Sequence, residues 1–303
     1  MPASERLDAS AWPRSLLRRV LRDSRAQVGL VVLLLIALAA VLAPVLAPYD
    51  PAAQLDIVRL QNRPPSFAHP MGTDPFSRDV LSRLLYGTRI SLAIGLGAVA
   101  LSMSFGITVG ATAGMAGGWI DAVLMRLVDA ALSVPRILVL ILVVSLWDSV
   151  GLVSLTLLLA CTGWFAVSRL VRAETLAIRE REFVLAARAL GGSPFRLVVR
   201  HVLPNVLAPA LVAATLGIAN VILLEAGLSY LGIGVRPPAA SWGTIIQDGA
   251  ENVSDLWWLT LFPGLAILVT VFSCNAVGDA LRDAFDPRQL HRGTTDPTFS
   301  TEA

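Results

Sequence analysis

The chain contains no lysine: all 24 of its basic residues are arginine. A Walker-type phosphate loop needs a lysine to reach the phosphates, so no such nucleotide site is encoded, and Schiff-base chemistry on lysine is excluded for the same reason. Cysteine is nearly absent. Cys161 and Cys274 both lie inside apolar runs, and with no C-x-x-C pair or Cys/His cluster there is no basis for a zinc site or a disulfide framework. His69, His201 and His291 fall in three separate regions and do not form a metal site or a catalytic base. Charge is scarce too, at 15% of residues, against roughly 25% in an ordinary globular chain. No paired carboxylates share a face of an apolar run, so no proton relay is visible.

Apolar residues fill the chain instead. They make up 55% of it, and mean hydropathy is +0.69. A soluble protein of 303 residues lacks the interior volume to hide that many apolar side chains, whereas a bilayer accepts them. The composition is that of an all-α integral membrane protein.

Crossing the hydrocarbon core takes about 20 apolar residues at 1.5 Å each. Runs of that kind occur at Gly29–Ala47, Ile90–Gly114, Val123–Val144, Gly151–Val167, Pro209–Tyr230 and Leu256–Val277, which predicts six transmembrane helices. The first run follows Arg18, Arg19, Arg22 and Arg25 as in a signal peptide. It is longer than a signal-peptide core and a long tail precedes it, so a retained anchor is expected. Loop arginines set the sidedness. The segments before the first run, between the fourth and fifth, and after the sixth hold sixteen arginines, and the opposite side, counted over 55–85 and the two later loops, holds five. The positive-inside rule then predicts that both termini are cytoplasmic. The expected division is a cytoplasmic tail (1–27), an anchor helix with an extracytoplasmic loop (28–86), a transmembrane domain (87–285) carrying a cytoplasmic segment (169–205), and a cytoplasmic tail (286–303). The N-terminal arginines are placed to meet anionic lipid headgroups. Trp12 is the one aromatic among them, too few for a stacking platform, so nucleic-acid binding is not expected.

The cytoplasmic segment is the most informative. Following Glu182, the residues Phe183, Ala186, Ala187 and Leu190 recur at helical spacing, with Arg188 among them, and Gly191-Gly192 stops the helix. Ser193-Pro194 starts a second helix, on which Phe195, Val198, Val199 and Val202 repeat the spacing up to Leu203-Pro204. The result is a helix–turn–helix elbow whose small and apolar stripe either docks a partner or packs on the protein's own helix ends.

Val184-Leu185-Ala186-Ala187-Arg188-Ala189-Leu190-Gly191, with His201-Val202-Leu203-Pro204 beyond it, resembles the E-A-A-x3-G-x9-I-x-L-P signature of permease subunits of ABC importers. Leu185 stands in place of the signature Glu and His201 in place of Ile, and Glu182 is the nearest upstream acid. His69-Pro70-Met71-Gly72-Thr73-Asp74 with Ser77-Arg78-Asp79-Val80-Leu81-Ser82-Arg83 is similar to H-P-L-G-T-D-x-x-G-R-D-V-L-S-R of the oligopeptide/dipeptide permease family, with Ser77 replacing Gly. Glu225 through Gly232 resembles that family's E-x-x-L-S-F-L-G motif, and Gly278-Asp279-Ala280-Leu281-Arg282-Asp283 its C-terminal end.

The resemblance implies the second, C-type permease, with an anchor helix before a five-helix core, in a bacterial inner membrane. It also implies a homologous second permease, two ATP-binding subunits that hold ATP and Mg, and an extracytoplasmic solute-binding protein. The stretch Glu182–Gly191 would be the segment coupled to the ATPases. By the same resemblance the chain is not itself an enzyme and carries no cofactor. Relatives move peptides, glutathione, nickel or sugar conjugates, with di- and oligopeptides the default.

Three further residues stand out. Glu225 is a carboxylate at membrane depth, either functional or tied to neighbouring helix ends to hold the outer loop. Pro135, beside Ser133, is expected to kink the third span, for gating or for packing. Asn220 is expected to hydrogen-bond between helices. Two other function classes compete: a self-sufficient channel or ion-coupled carrier, and a membrane scaffold whose elbow only recruits a soluble protein.

Overall fold

The computed structural model describes residues 20–147 and 151–285. The expected lipid contacts of Arg6, Arg14, Arg18 and Arg19, and the tail from residue 286 with His291, lie outside the described residues. In chain order the helices are α1 (Ser24–Val41), α2 (Ala43–Leu46), α3 (Ile57–Leu60), α4 (Val80–Ala116), α5 (Gly118–Leu132), α6 (Arg136–Ser145), α7 (Leu152–Arg179), α8 (Glu182–Ala189), α9 (Pro194–Leu197), α10 (Leu203–Tyr230), α11 (Trp242–Asp248) and α12 (Trp257–Phe285). Among the described residues β-pairing is limited to one isolated bridge, Thr73 with Asp79.

Among the described residues five helical stretches are long and apolar enough to cross a bilayer: α1, α4, α7, Pro194–Tyr230 and α12. The third expected span, Val123–Val144, is not one helix. It is the pair α5 and α6, bent by 77°. Pro135 causes more than a kink because it adopts φ −56° and ψ 120°, an extended conformation that ends one helix and caps the next. The second span starts ten residues before the expected Ile90, because Asp79 caps α4 by accepting from the Ser82 backbone N–H.

In a bilayer, lipid tails are as apolar as leucine, so helices associate through close packing rather than through hydrophobic exclusion. The centre of the bundle follows that rule. Gly106, Gly110 and Gly114 form one edge of α4 and receive Val167, Val171 and Thr175 of α7. A Cβ on Gly110 would lie 2.4 Å from the Ser168 carbonyl oxygen, so only glycine allows this approach. The anchor α1 packs on α12 in the same way, with Gly29 against the Ser273 carbonyl.

Ala26 clusters with Ala280 and Ala284, which puts the start of α1 and the end of α12 at one end of the bundle. Val80 clusters with Ile245, Leu256 and Trp258 at the other. The ends of α4 and α7 and the elbow share the first end through Ala111, Val171, Val202 and Val206.

Candidate functional site

At the elbow end, α8 runs from Glu182 to Ala189. Its inward contact is made by Val184, which is fully buried. The stripe read from the sequence faces the other way: Phe183, Ala186 and Leu190 are exposed and Ala187 half-buried, with Leu190 89% accessible. Glu182, Arg188 and Gly191 are exposed as well. The chain therefore anchors α8 on a residue outside the stripe and leaves the stripe largely uncovered, with Phe183 meeting the His201 ring at 6.0 Å.

Gly191 takes φ +79°, where an L side chain is strained, although a Cβ there would meet nothing within 4 Å. Ser193 accepts from the Arg196 N–H and Pro194 follows it, as the spacing predicts. The second half of the elbow departs from expectation. It does not end at Leu203-Pro204 but continues through a π turn, Val198–Val202, into α10. Pro204 has no N–H for the Arg200 carbonyl, and the wider turn carries the backbone past that gap. The extra residue rotates the face: Leu197, Val202 and Val206 are buried while Phe195 and Val199 are exposed. Arg172 holds α7 to α5 through a two-pronged pair with Asp121, Nε–Oδ1 at 2.5 Å and Nη2–Oδ2 at 2.6 Å. Arg179 donates to the Gly114 carbonyl at the end of α4. The elbow thus leads out of a helix that is itself fastened to α4 and α5.

At the other end the H-P-M-G-T-D stretch forms a buried clasp. Asp74, wholly buried, pairs with Arg78 (Nε–Oδ2 2.6 Å) and with Arg83, and both arginines also reach Asp248 of α11. His69 Nδ1 lies 2.9 Å from Asp79 Oδ1, while Asp79 Oδ2 accepts from Ser82. Trp258 of α12 donates to the Thr73 carbonyl. Ser77, which stands where the similar motif has Gly, takes φ +59°. Glycine serves that turn without strain.

Glu225 is fully buried and accepts from Ser91 of α4 (2.9 Å) and Ser229 (2.7 Å). Ser229 in turn accepts from the Val235 N–H beyond the helix. The carboxylate thereby joins α4, α10 and the loop that follows.

Midway along the bundle a cavity of about 350 Å³ opens between α4, α6, α7 and α10. Ser102, Met103, Arg136, Gly163 and Asn220 line it. Asn220 makes no helix-to-helix hydrogen bond among the described residues; it is exposed to this space. Arg136, which periodicity and composition passed over, is held by Thr162 Oγ1 (3.0 Å) and the Leu159 carbonyl (2.7 Å). Its sequence signal was a lone arginine in an apolar run directly after the helix-breaking Pro135. Among the described residues no three His, Cys, Asp or Glu side chains gather to hold a metal ion.

Residues 106–291 match the family described as binding-protein-dependent transport system inner membrane component. The chain belongs to that family. Residues 10–65 match the N-terminal TM domain of oligopeptide transport permease C. Among curated relatives, a putative peptide transport system permease protein of Brucella abortus is 43% identical over 91% of this chain and 92% of its own length. A putative peptide permease protein of Brucella suis is 42% identical over 89% of each chain. The dipeptide transport system permease protein of Bacillus subtilis is 38% identical over 89% of this chain and 84% of its own. This inner-membrane permease therefore combines an exposed elbow, a clasped opposite end and a polar cavity between them.

Proposed function

We propose that the chain is the transmembrane permease subunit of an ATP-driven, binding-protein-dependent importer of di- and oligopeptides. The observation that carries this is the likeness, over about nine-tenths of the chain, to proteins named as peptide and dipeptide permeases. With a homologous second permease it forms half of a translocation path. A solute-binding protein delivers substrate to the clasped end, and the elbow end faces the cytoplasm, in keeping with the loop arginines. Two ATPase subunits bind ATP and Mg; this chain, without a single lysine, supplies no phosphate loop and no catalysis.

The stripe Phe183, Ala186, Ala187 and Leu190, flanked by Glu182 and Arg188 and ended at Gly191, is the surface that the ATPases receive. Support comes from its exposure on a helix whose one buried residue is Val184. A push on α8 passes to α7 and α10, whose ends flank it in the chain. It drives transport only if docking differs in free energy between inward- and outward-facing states. Reconstitution tests this. The complex in proteoliposomes should accumulate labelled Ala-Ala only with ATP and binding protein. Uptake by this chain alone, without ATP, would instead establish a channel or an ion-coupled carrier.

A further inference from the structure

Arg136 differs from most of the bundle's fastened arginines; Arg179, held by the Gly114 carbonyl, sits instead at the elbow end. Arg78, Arg83, Arg169 and Arg172 each pair with a carboxylate. Arg136 has two neutral partners, Thr162 and the Leu159 carbonyl, and among the described residues it forms no ion pair. A guanidinium at membrane depth without a counter-ion is costly, and in membrane proteins such a charge faces a pathway or finds a partner of opposite sign. The structure also makes room for it. Gly163 lies across from the guanidinium, and a Cβ there would stand 3.3 Å from Nη2 and 2.5 Å from the Ser102 hydroxyl. Arg136 opens the first turn of α6, a helix of 10 residues with no side-chain cap. That turn's N–H groups place partial positive charge beside the guanidinium. Asn220 adds a neutral amide donor to the same cavity wall, while the Ser102 hydroxyl donates to the Ala160 carbonyl. A positive side chain, the start of a broken helix and an amide donor around one space at mid-bundle are the ingredients with which discontinuous transmembrane helices hold anionic substrate groups.

We infer that the cavity between α4, α6, α7 and α10 is a carboxylate-binding station in the permease, with Arg136 receiving the C-terminal carboxylate of a peptide in passage. This rests on the peptide-importer reading for the identity of the anion, but not for the site itself. Thr162 and the Leu159 carbonyl orient the guanidinium toward the cavity. Asn220 supplies a neutral hydrogen bond, so the station holds the anion without a second fixed charge that would trap it.

The site is tested by photolabelling the purified complex with para-benzoylbenzoate and, separately, with its neutral carboxamide. Benzophenones insert readily into methionine C–H bonds, and Met103 lines the cavity. Met103 should be labelled by the carboxylate about tenfold more than by the amide, the ratio that about 1.4 kcal/mol of charge-assisted binding produces. Excess Ala-Ala should suppress that labelling and Ala-Ala amide should not. The preference should collapse to near equality in Arg136→Gln and persist in Arg136→Lys. Equal labelling of the wild type by both probes would overturn the site, and that comparison needs no variant to fold. A preference unmoved by Arg136→Gln would overturn Arg136 as its source. If the label behaves as expected but reconstituted vesicles move no Ala-Ala, the anion station stands and the peptide reading falls.

Discussion

Replacing Gly110 by Ala puts one methyl group into the closest contact between α4 and α7. The new Cβ would lie 2.4 Å from the Ser168 carbonyl oxygen and 2.8 Å from the Val171 Cβ, about 1 Å inside ordinary van der Waals contact. Neither neighbour is the end of a flexible chain, so the helices themselves must separate. Overpacking of this kind costs about 1–3 kcal/mol. Helix propensity returns less than about 1 kcal/mol of it, since Ala is the better helix former. The loss should appear as a lower apparent melting temperature and a smaller monodisperse fraction in detergent, followed by fluorescence-detected gel filtration. Gly264→Ala on α12, where a Cβ meets nothing within 4 Å, is the control and should change neither. The double variant Gly106→Ala/Gly110→Ala should cost less than its two single changes together, because one separation relieves both clashes. Wild-type stability in Gly110→Ala would refute the view that glycine sets the α4–α7 distance.

Asp74→Ala leaves Arg78 and Arg83 sharing Asp248 alone, and breaking a buried ion network should cost about 3–5 kcal/mol; limited proteolysis in the segment 50–80 should then rise sharply, and no change would argue against the clasp. Glu225→Ala strands the Ser91 and Ser229 hydroxyls at about 1–3 kcal/mol each, whereas Glu225→Gln keeps a carbonyl acceptor for one of them and should lose less in melting than Glu225→Ala. Gly191→Asp strains the turn at φ +79° without a clash, so the chain should insert normally yet lose co-purifying ATPase; normal uptake in that variant would sink the assignment of the elbow as a docking segment.

The apolar runs made the helices legible, because length and composition alone decide what crosses a bilayer. The break at Pro135 was legible as a kink only: whether proline bends a helix or ends it depends on its ψ, which tertiary packing sets. The π turn at Val198–Val202 was not legible. It shifts the buried face by one residue, so the one stripe that periodicity drew through Phe195, Val198, Val199 and Val202 is divided, with Val202 buried and Phe195 and Val199 exposed. The clasp joins Asp74, Arg78 and Arg83 to Asp248 across more than 160 residues, a pairing no local pattern announces. The spacing of Gly106, Gly110 and Gly114 was present to be read, as was Arg136. The first is a known close-packing pattern and the second an intramembrane charge. The elbow's stripe was legible because exposure there follows a single regular helix.

The most direct measurement is to purify this chain from its own host membrane in mild detergent and quantify what accompanies it. Stoichiometric recovery of a second permease and a P-loop ATPase is the expected result. Recovery of the chain alone, still competent for transport in vesicles, would contradict the importer assignment.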